Sequence, residues 1–267
     1  MTPEVDRNYR IGRGQHFLIS DQIIERIIGY ANIQSTDTVL EIGGGTGNLT
    51  RKIAPRCLNL LVIEADWRLA EQLRQIPGAS VLYGDALRIP FPPFDKTVSN
   101  LPYQISSEVT FKLLAHPFVC GVLMYQKEFA ERMMAAPGTK DYSRLTVCLN
   151  YKAQAEILEH VPNTAFTPRP RVTSTLVKLV PVKPRFDVRD EAFFHDFVRA
   201  LFTQRRKRLK AALAIAAQLL NVTAVAEIGA QLSTRCLARR PYELSPEEIA
   251  TLSNRALELG QKKAFNE

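Results

Sequence analysis

The sequence predicts an α/β protein: a mostly parallel seven-stranded sheet with a closing antiparallel hairpin, followed by a small all-helical unit. Three observations carry this. Strand-like and helix-like segments alternate regularly from residue 38 to residue 151, the pattern of a parallel sheet with helices on both faces. Two strand-like runs, 155–161 and 174–180, then follow with no helix between them. Beyond Pro181-Val182-Lys183-Pro184, the best linker candidate, only helical patterns remain. The expected domains are therefore 1–182 and 183–267.

Taken in order, Ser20 or Asp21 caps a helix whose apolar residues Ile23, Ile24, Ile27, Ile28 and Ala31 recur at helical spacing. Thr38-Val39-Leu40-Glu41-Ile42 is a strand, broken by Gly43-Gly44-Gly45-Thr46-Gly47, and 48–54 is the returning helix. Asn59-Leu60-Leu61-Val62-Ile63 is continuously apolar, as buried parallel strands are. A helix over 66–75, a strand over 80–83, a strand before Asn100, a helix over 107–115, a strand over 121–125 and helices over 127–135 and 143–151 complete the alternation. In the last part, Phe194, Phe197, Val198, Leu201 and Phe202 form one apolar stripe, and Leu209, Ala212, Leu213, Ala216 and Leu220 another. A late helix starts at Ser245-Pro246-Glu247-Glu248, with Ser245 as N-cap and Glu248 closing a capping box.

The 267 residues carry 35 Lys+Arg against 27 Asp+Glu, a net charge of +8 and a pI near 9.4. This excess suits a nucleic-acid partner without requiring one. The cysteines Cys57, Cys120, Cys148 and Cys236 are dispersed, with no Cys-x-x-Cys and no histidine at ligand spacing. Neither a metal site nor a disulfide framework is expected. No apolar run approaches the roughly 18 residues that span a bilayer, and the N-terminus, with Arg7, Arg10 and Arg13 beside Glu4 and Asp6, has no apolar signal region. A reducing cytoplasmic setting and a monomer are expected.

The chemistry-bearing residues fall at strand ends. The turn Glu41-x-Gly43-x-Gly45-x-Gly47 lets backbone approach a ligand closely. Asn48 stands where the third glycine of the diphosphate-binding fingerprint would fall. Glu64, ending the second strand, suits a ribose, and Asp85, ending the third, suits an adenine amino group. Asn100-Leu101-Pro102-Tyr103 ends the fourth, offering an amide with both donor and acceptor, a helix-blocking proline and a flat ring. One nucleoside-like ligand across this edge, without a diphosphate loop, fits S-adenosylmethionine better than NAD.

An ordered set of motifs then resembles the ribosomal RNA adenine N6-dimethyltransferases, the KsgA family. It comprises Gly14-Gln15-His16-Phe17-Leu18, the glycine turn, Glu64, Gly84-Asp85-Ala86, Asn100-Leu101-Pro102-Tyr103-Gln104-Ile105-Ser106, Phe166-x-Pro168-x-Pro170-x-Val172-x-Ser174 and Phe202-x-Gln204-Arg205-Arg206-Lys207-x-Leu209. The resemblance spans residues 14 to about 252. It implies a class I, Rossmann-like methyltransferase domain and S-adenosylmethionine, with no metal. His16 and Leu18 would then contact the cofactor and Gly43 lie under its methionine part, with Gly45 beside it. Glu64 would hold the ribose, Asp85 the adenine, and Asn100 would stand between cofactor and target. His16 departs from the more common Asn, and Gly44 from a common proline, a change expected to matter little.

The implied activity is dimethylation of two adjacent adenosines near the 3′ end of small-subunit ribosomal RNA during ribosome assembly. The Asn100 side-chain carbonyl and the Leu101 backbone carbonyl would accept the two N6 hydrogens, beside Pro102. Tyr103 would stack on the base and Phe166 cover its other face. Arg199, Arg205, Arg206, Lys207, Arg208 and Lys210 would contact RNA phosphates, with Arg239, Arg240 and Lys183 as weaker candidates. Three alternatives remain. A large-subunit enzyme of the macrolide-resistance type tends to have Ile at position 101 and to lack a Gln-Arg-Arg-Lys helix. An RNA-binding assembly or transcription factor without chemistry would not need Glu64, Asp85 and Asn100. A protein-glutamine methyltransferase would want Asn-Pro-Pro-Tyr.

Overall fold

The structure, a computed structural model, describes residues 15–264. Arg7, Arg10, Arg13 and Gly14, singled out above, lie outside the described residues. The elements in chain order are β1 (Phe17–Leu18), α1 (Asp21–Ala31), β2 (Thr38–Ile42), α2 (Asn48–Ile53), β3 (Asn59–Glu64), α3 (Trp67–Leu73), β4 (Ala79–Tyr83), β5 (Lys96–Asn100), α4 (Ser106–Leu114), β6 (Cys120–Gln126), α5 (Lys127–Met133), α6 (Arg144–Lys152), β7 (Ala153–Val161), β8 (Phe166–Thr167) and β9 (Ser174–Pro181). Then come α7 (Glu191–Phe202), α8 (Leu209–Leu220), α9 (Ala224–Glu227), α10 (Thr234–Ala238) and α11 (Pro246–Ala264).

Seven strands form one sheet in the order β4-β3-β2-β5-β6-β9-β7. Strands β2 to β6 pair in parallel, and β9 returns antiparallel to β6. The order reverses between β2 and β5, which makes their carboxyl ends a topological switch point, where open α/β sheets place ligands. Local chemistry opens that point. Backbone pairing of β2 with β5 covers Val39↔Lys96 and Leu40↔Thr97. Higher up, the Ile42 amide donates instead to the Ser99 hydroxyl at 2.8 Å. At the base of β5, the Lys96 ammonium pairs with Asp37 at 2.8 Å and donates to the Asn32 carbonyl at 2.6 Å, tying the two strands at the end opposite the crevice.

The apolar stripe of α1 (Ile23, Ile24, Ile27, Ile28, Ala31) is buried in the same core as Val39, Val62, Val98 and Val122 of the sheet. Ser20 is its N-cap, and Asn32 ends it in the left-handed conformation. One feature is absent from the sequence reading: β1 pairs antiparallel with β8, Phe17 opposite Thr167 and Leu18 opposite Phe166.

Two compact units emerge, one of residues 15–130 and 156–181, the other of 131–155 and 182–264. This discontinuous grouping contrasts with the expected contiguous ranges 1–182 and 183–267. Within the second unit α6 packs against α7 and α11, and Tyr151 of α6 meets Phe194 of α7 at 5.6 Å between ring centroids. The buried stripes of α7 and α8 are those read from the sequence, except that Phe202 and Leu220 are not fully buried. The Ser245–Glu248 capping box forms reciprocally at 2.7 and 3.2 Å.

Candidate active site

A crevice open to solvent lies at the switch point, where open α/β sheets place their ligands. The glycine turn forms one side. Gly43 and Gly45 adopt φ of +77° and +55°, which side chains rarely tolerate, and a Cβ on Gly45 would stand 2.9 Å from the Phe17 ring. Gly44 is constrained differently. A Cβ there would meet Val62 at 2.7 Å and Leu73 at 2.8 Å, so these side chains fill the space that a proline ring would need. A side chain at this position would therefore require Val62 and Leu73 to shift.

Glu64, 5% exposed, orders the turn. One carboxylate oxygen accepts from the Gly45 amide and the other from the Asp66 amide, both at 2.9 Å. Each oxygen keeps a second lone pair, enough for a vicinal diol. Asn48 donates to the Leu18 carbonyl at 2.8 Å and holds β1 beside the turn.

The opposite side is Asn100-Leu101-Pro102-Tyr103 with His16. The Asn100 amide nitrogen donates to the His16 main-chain carbonyl at 2.9 Å. His16 Nδ1 donates to the Pro168 carbonyl at 2.8 Å. The His16 and Tyr103 rings lie 5.8 Å apart at 35°. The Tyr103 and Ser174 hydroxyls share a 2.6 Å hydrogen bond. Burial pushes the Tyr103 phenol up, against the opposing pull of Ser174, so it stays neutral.

Of the residues predicted for the site, His16, Leu18, Gly43, Gly45, Glu64, Asn100, Leu101, Pro102 and Tyr103 line this crevice. Two do not. Asp85 follows β4 and is engaged locally, its carboxylate accepting from the Leu87 amide at 2.9 Å and facing Arg88 at 3.6 Å. Phe166 is 1% exposed and belongs to the hydrophobic core. Phe166 stands opposite Leu18 where β1 and β8 pair, and the ring beside Tyr103 is that of His16. Glu41 lines the crevice without having been given a role; its signal was a charge inside an otherwise apolar strand.

In the second unit, the basic residues divide. Gln204-Arg205-Arg206-Lys207 stands in the turn between α7 and α8, not in a helix as expected. Arg205 donates to the Tyr142 and Lys140 carbonyls at 2.6 and 2.5 Å, so it braces the loop before α6. Arg199 pairs with Asp196 at 2.9 Å, and Arg239 is held by Glu248. Arg206, Lys207, Arg208 and Lys210 are exposed around the start of α8, whose first turn carries no acid.

The fold and crevice define a class I methyltransferase, and the solved structures it resembles agree. A dimethyladenosine transferase from Plasmodium falciparum superposes with a TM-score of 0.73 at 31% identity, over 93% of this chain and 98% of that one. The 23S rRNA methyltransferase ErmE gives 0.63 at 29%, over 90% and 99%. The family model for ribosomal RNA adenine dimethylase matches residues 7–234. Among sequence relatives, a probable ribosomal RNA small subunit methyltransferase A of Methanosarcina mazei is 46% identical over 97% of this chain and 98% of its own length. Its Thermococcus kodakarensis counterpart is 45% identical over 88% and 86%. The chain belongs to the ribosomal RNA adenine dimethylase family.

Proposed function

We propose that the protein transfers methyl groups from S-adenosylmethionine to N6 of two adjacent adenosines near the 3′ end of small-subunit ribosomal RNA, twice at each nitrogen. The observation that carries this is the orientation of Asn100. Its NH₂ is committed to His16, so its carbonyl oxygen has no partner among the described residues and serves as an acceptor for an exocyclic amine. The residues suit the methyl donor. The glycine turn admits its methionine part, Glu64 has lone pairs for the ribose hydroxyls, and Asp85 takes the adenine once it leaves its local turn. His16 and Leu18 close the N-terminal side.

When bound, the donor supplies a methyl group already activated on a positively charged sulfur. The protein's task is alignment. The Asn100 and Leu101 carbonyls take the two N6 hydrogens, draw the nitrogen from planarity and stabilise the positive charge that develops on it. Tyr103 stacks on the base, an interaction worth roughly 1–3 kcal/mol. After the first transfer the methylated nitrogen gives one proton to solvent, one N–H remains, and either carbonyl can accept its hydrogen bond. Arg206, Lys207, Arg208 and Lys210 contact phosphates. The reaction belongs to a cytoplasmic monomer acting on the assembling subunit, and no metal takes part.

A second reading, methylation of large-subunit RNA, has the likeness to ErmE in its favour. Leu101 in place of Ile and the Gln-Arg-Arg-Lys turn favour the small subunit. Incubation with labelled S-adenosylmethionine and unmodified subunits separates the two. Label is expected in small subunits; label confined to large ones would overturn the proposal.

A further inference from the structure

Two carboxyl groups line the crevice, and their circumstances differ. Glu64 is satisfied by two backbone amides. Glu41, on the neighbouring strand, is 1% exposed, and its Oε2 finds no hydrogen-bond partner. No lysine or arginine is among the described residues that line the crevice. Arg51 on α2 donates to the Thr46 carbonyl, and Lys52 pairs with Glu25. The groups that act on Glu41 are the Thr50 hydroxyl from α2 and Glu64 from β3; His16 and Tyr103 line the same crevice. A site walled by two acids and no strong base selects a cation, and a buried carboxylate with one oxygen that no donor reaches is unstable until a counter-charge arrives.

We propose that Glu41 is the counter-charge for a cationic group of the bound ligand, a sulfonium or an alkylammonium, and that it releases its proton to solvent as that ligand enters. This rests on the methyl-donor reading, since S-adenosylmethionine carries both cations. Burial, with the negative charge of Glu64 adding to it and the Thr50 hydroxyl opposing, pushes the Glu41 carboxyl up to about 8 from its ordinary 4.5. Below that pH the empty site holds Glu41 neutral. Binding then costs one proton, and affinity rises with pH by up to about tenfold per unit between roughly 6 and 8, levelling above.

The test is calorimetric titration of the full chain near pH 7 in two buffers of different ionisation enthalpy. Three ligands are used: S-adenosylmethionine, S-adenosylhomocysteine, which keeps only the ammonium, and 5′-methylthioadenosine, which has neither cation. Wild type is expected to release a proton with S-adenosylmethionine and none with methylthioadenosine. Release with S-adenosylhomocysteine as well would assign the ammonium, and release with S-adenosylmethionine alone the sulfonium. Glu41→Gln is expected to bind methylthioadenosine normally, which reports its folding, and to bind S-adenosylmethionine without proton release. Buffer-independent heats for wild type with S-adenosylmethionine would overturn the proposal, whether or not the variant folds. Undiminished release by a folded Glu41→Gln would do the same. Failure of all three ligands to bind would instead overturn the methyl-donor reading itself.

Discussion

The side-chain amide of Asn100 donates to the main-chain carbonyl of His16 at 2.9 Å, which fixes which end of that amide the crevice receives. A residue from the N-terminal segment thus orients a residue at the end of β5. Asn100→Ala removes the acceptor for the amine and leaves the glycine turn and Glu64 in place. Turnover is expected to fall about 10²–10³-fold, as when one preorganised hydrogen-bonding group is deleted. The dissociation constant for S-adenosylmethionine should change only a few-fold. Single-turnover kinetics beside equilibrium binding checks the split, and unchanged turnover would refute the assigned role.

Tyr103 and Phe166 are expected to separate cleanly. Tyr103→Ala should lower kcat/KM by about tenfold to a hundredfold, the worth of one stacked base. Phe166→Ala should instead destabilise the fold by about 3–5 kcal/mol, as deletion of a buried aromatic does. Denaturant melts and initial rates on the two variants distinguish these outcomes.

The turn before α8 is expected to divide in the same way. Replacing Arg206, Lys207 and Arg208 together by Gln should reduce the steepness of log affinity against log salt by about 2–3 for single-stranded or duplex RNA. Arg205→Ala should lower the melting temperature by freeing the Tyr142 and Lys140 carbonyls, and should change the salt slope little. Filter binding across a salt series and thermal melts provide both readouts.

The stability of the ligand-free protein should depend on pH through Glu41. Its folded value near 8 lies above its ordinary 4.5. The folded state therefore holds the proton more tightly, and this contribution is complete below about pH 4.5 and lost as pH rises toward 8. The loss is about 1.4 kcal/mol per unit of pH. Glu41→Gln should remove it, so the variant gains on wild type between pH 5 and pH 8. Parallel pH-stability curves for the two proteins would contradict this.

Much of the architecture is legible in the sequence because its signals are local. The apolar runs 59–63 and 121–125 read as buried parallel strands, and Ser245 with Glu248 reads as a capping box. The strands β1 and β8 have two residues each, too few to show any period. Phe166 in its Phe-x-Pro-x-Pro run looks the same whether its ring meets a base or the core, and its burial is a property of the fold. A cluster of arginines likewise does not say which guanidinium is committed to the carbonyls of a loop distant in sequence. The grouping of α6 with the later helices rests on tertiary packing, here the meeting of Tyr151 with Phe194. Glu41 was visible as a misplaced charge, but its missing partner is a property of the folded crevice.

The central claim is that Asn100 seats the N6 of an adenine in small-subunit RNA. Unmodified small subunits would be incubated with S-adenosylmethionine and either wild type or Asn100→Ala, digested to nucleosides and weighed by mass spectrometry. Wild type is expected to yield N6,N6-dimethyladenosine, and the variant little or none in the same time. Dimethyladenosine formed equally by both, or found only when large subunits are supplied, would contradict the claim.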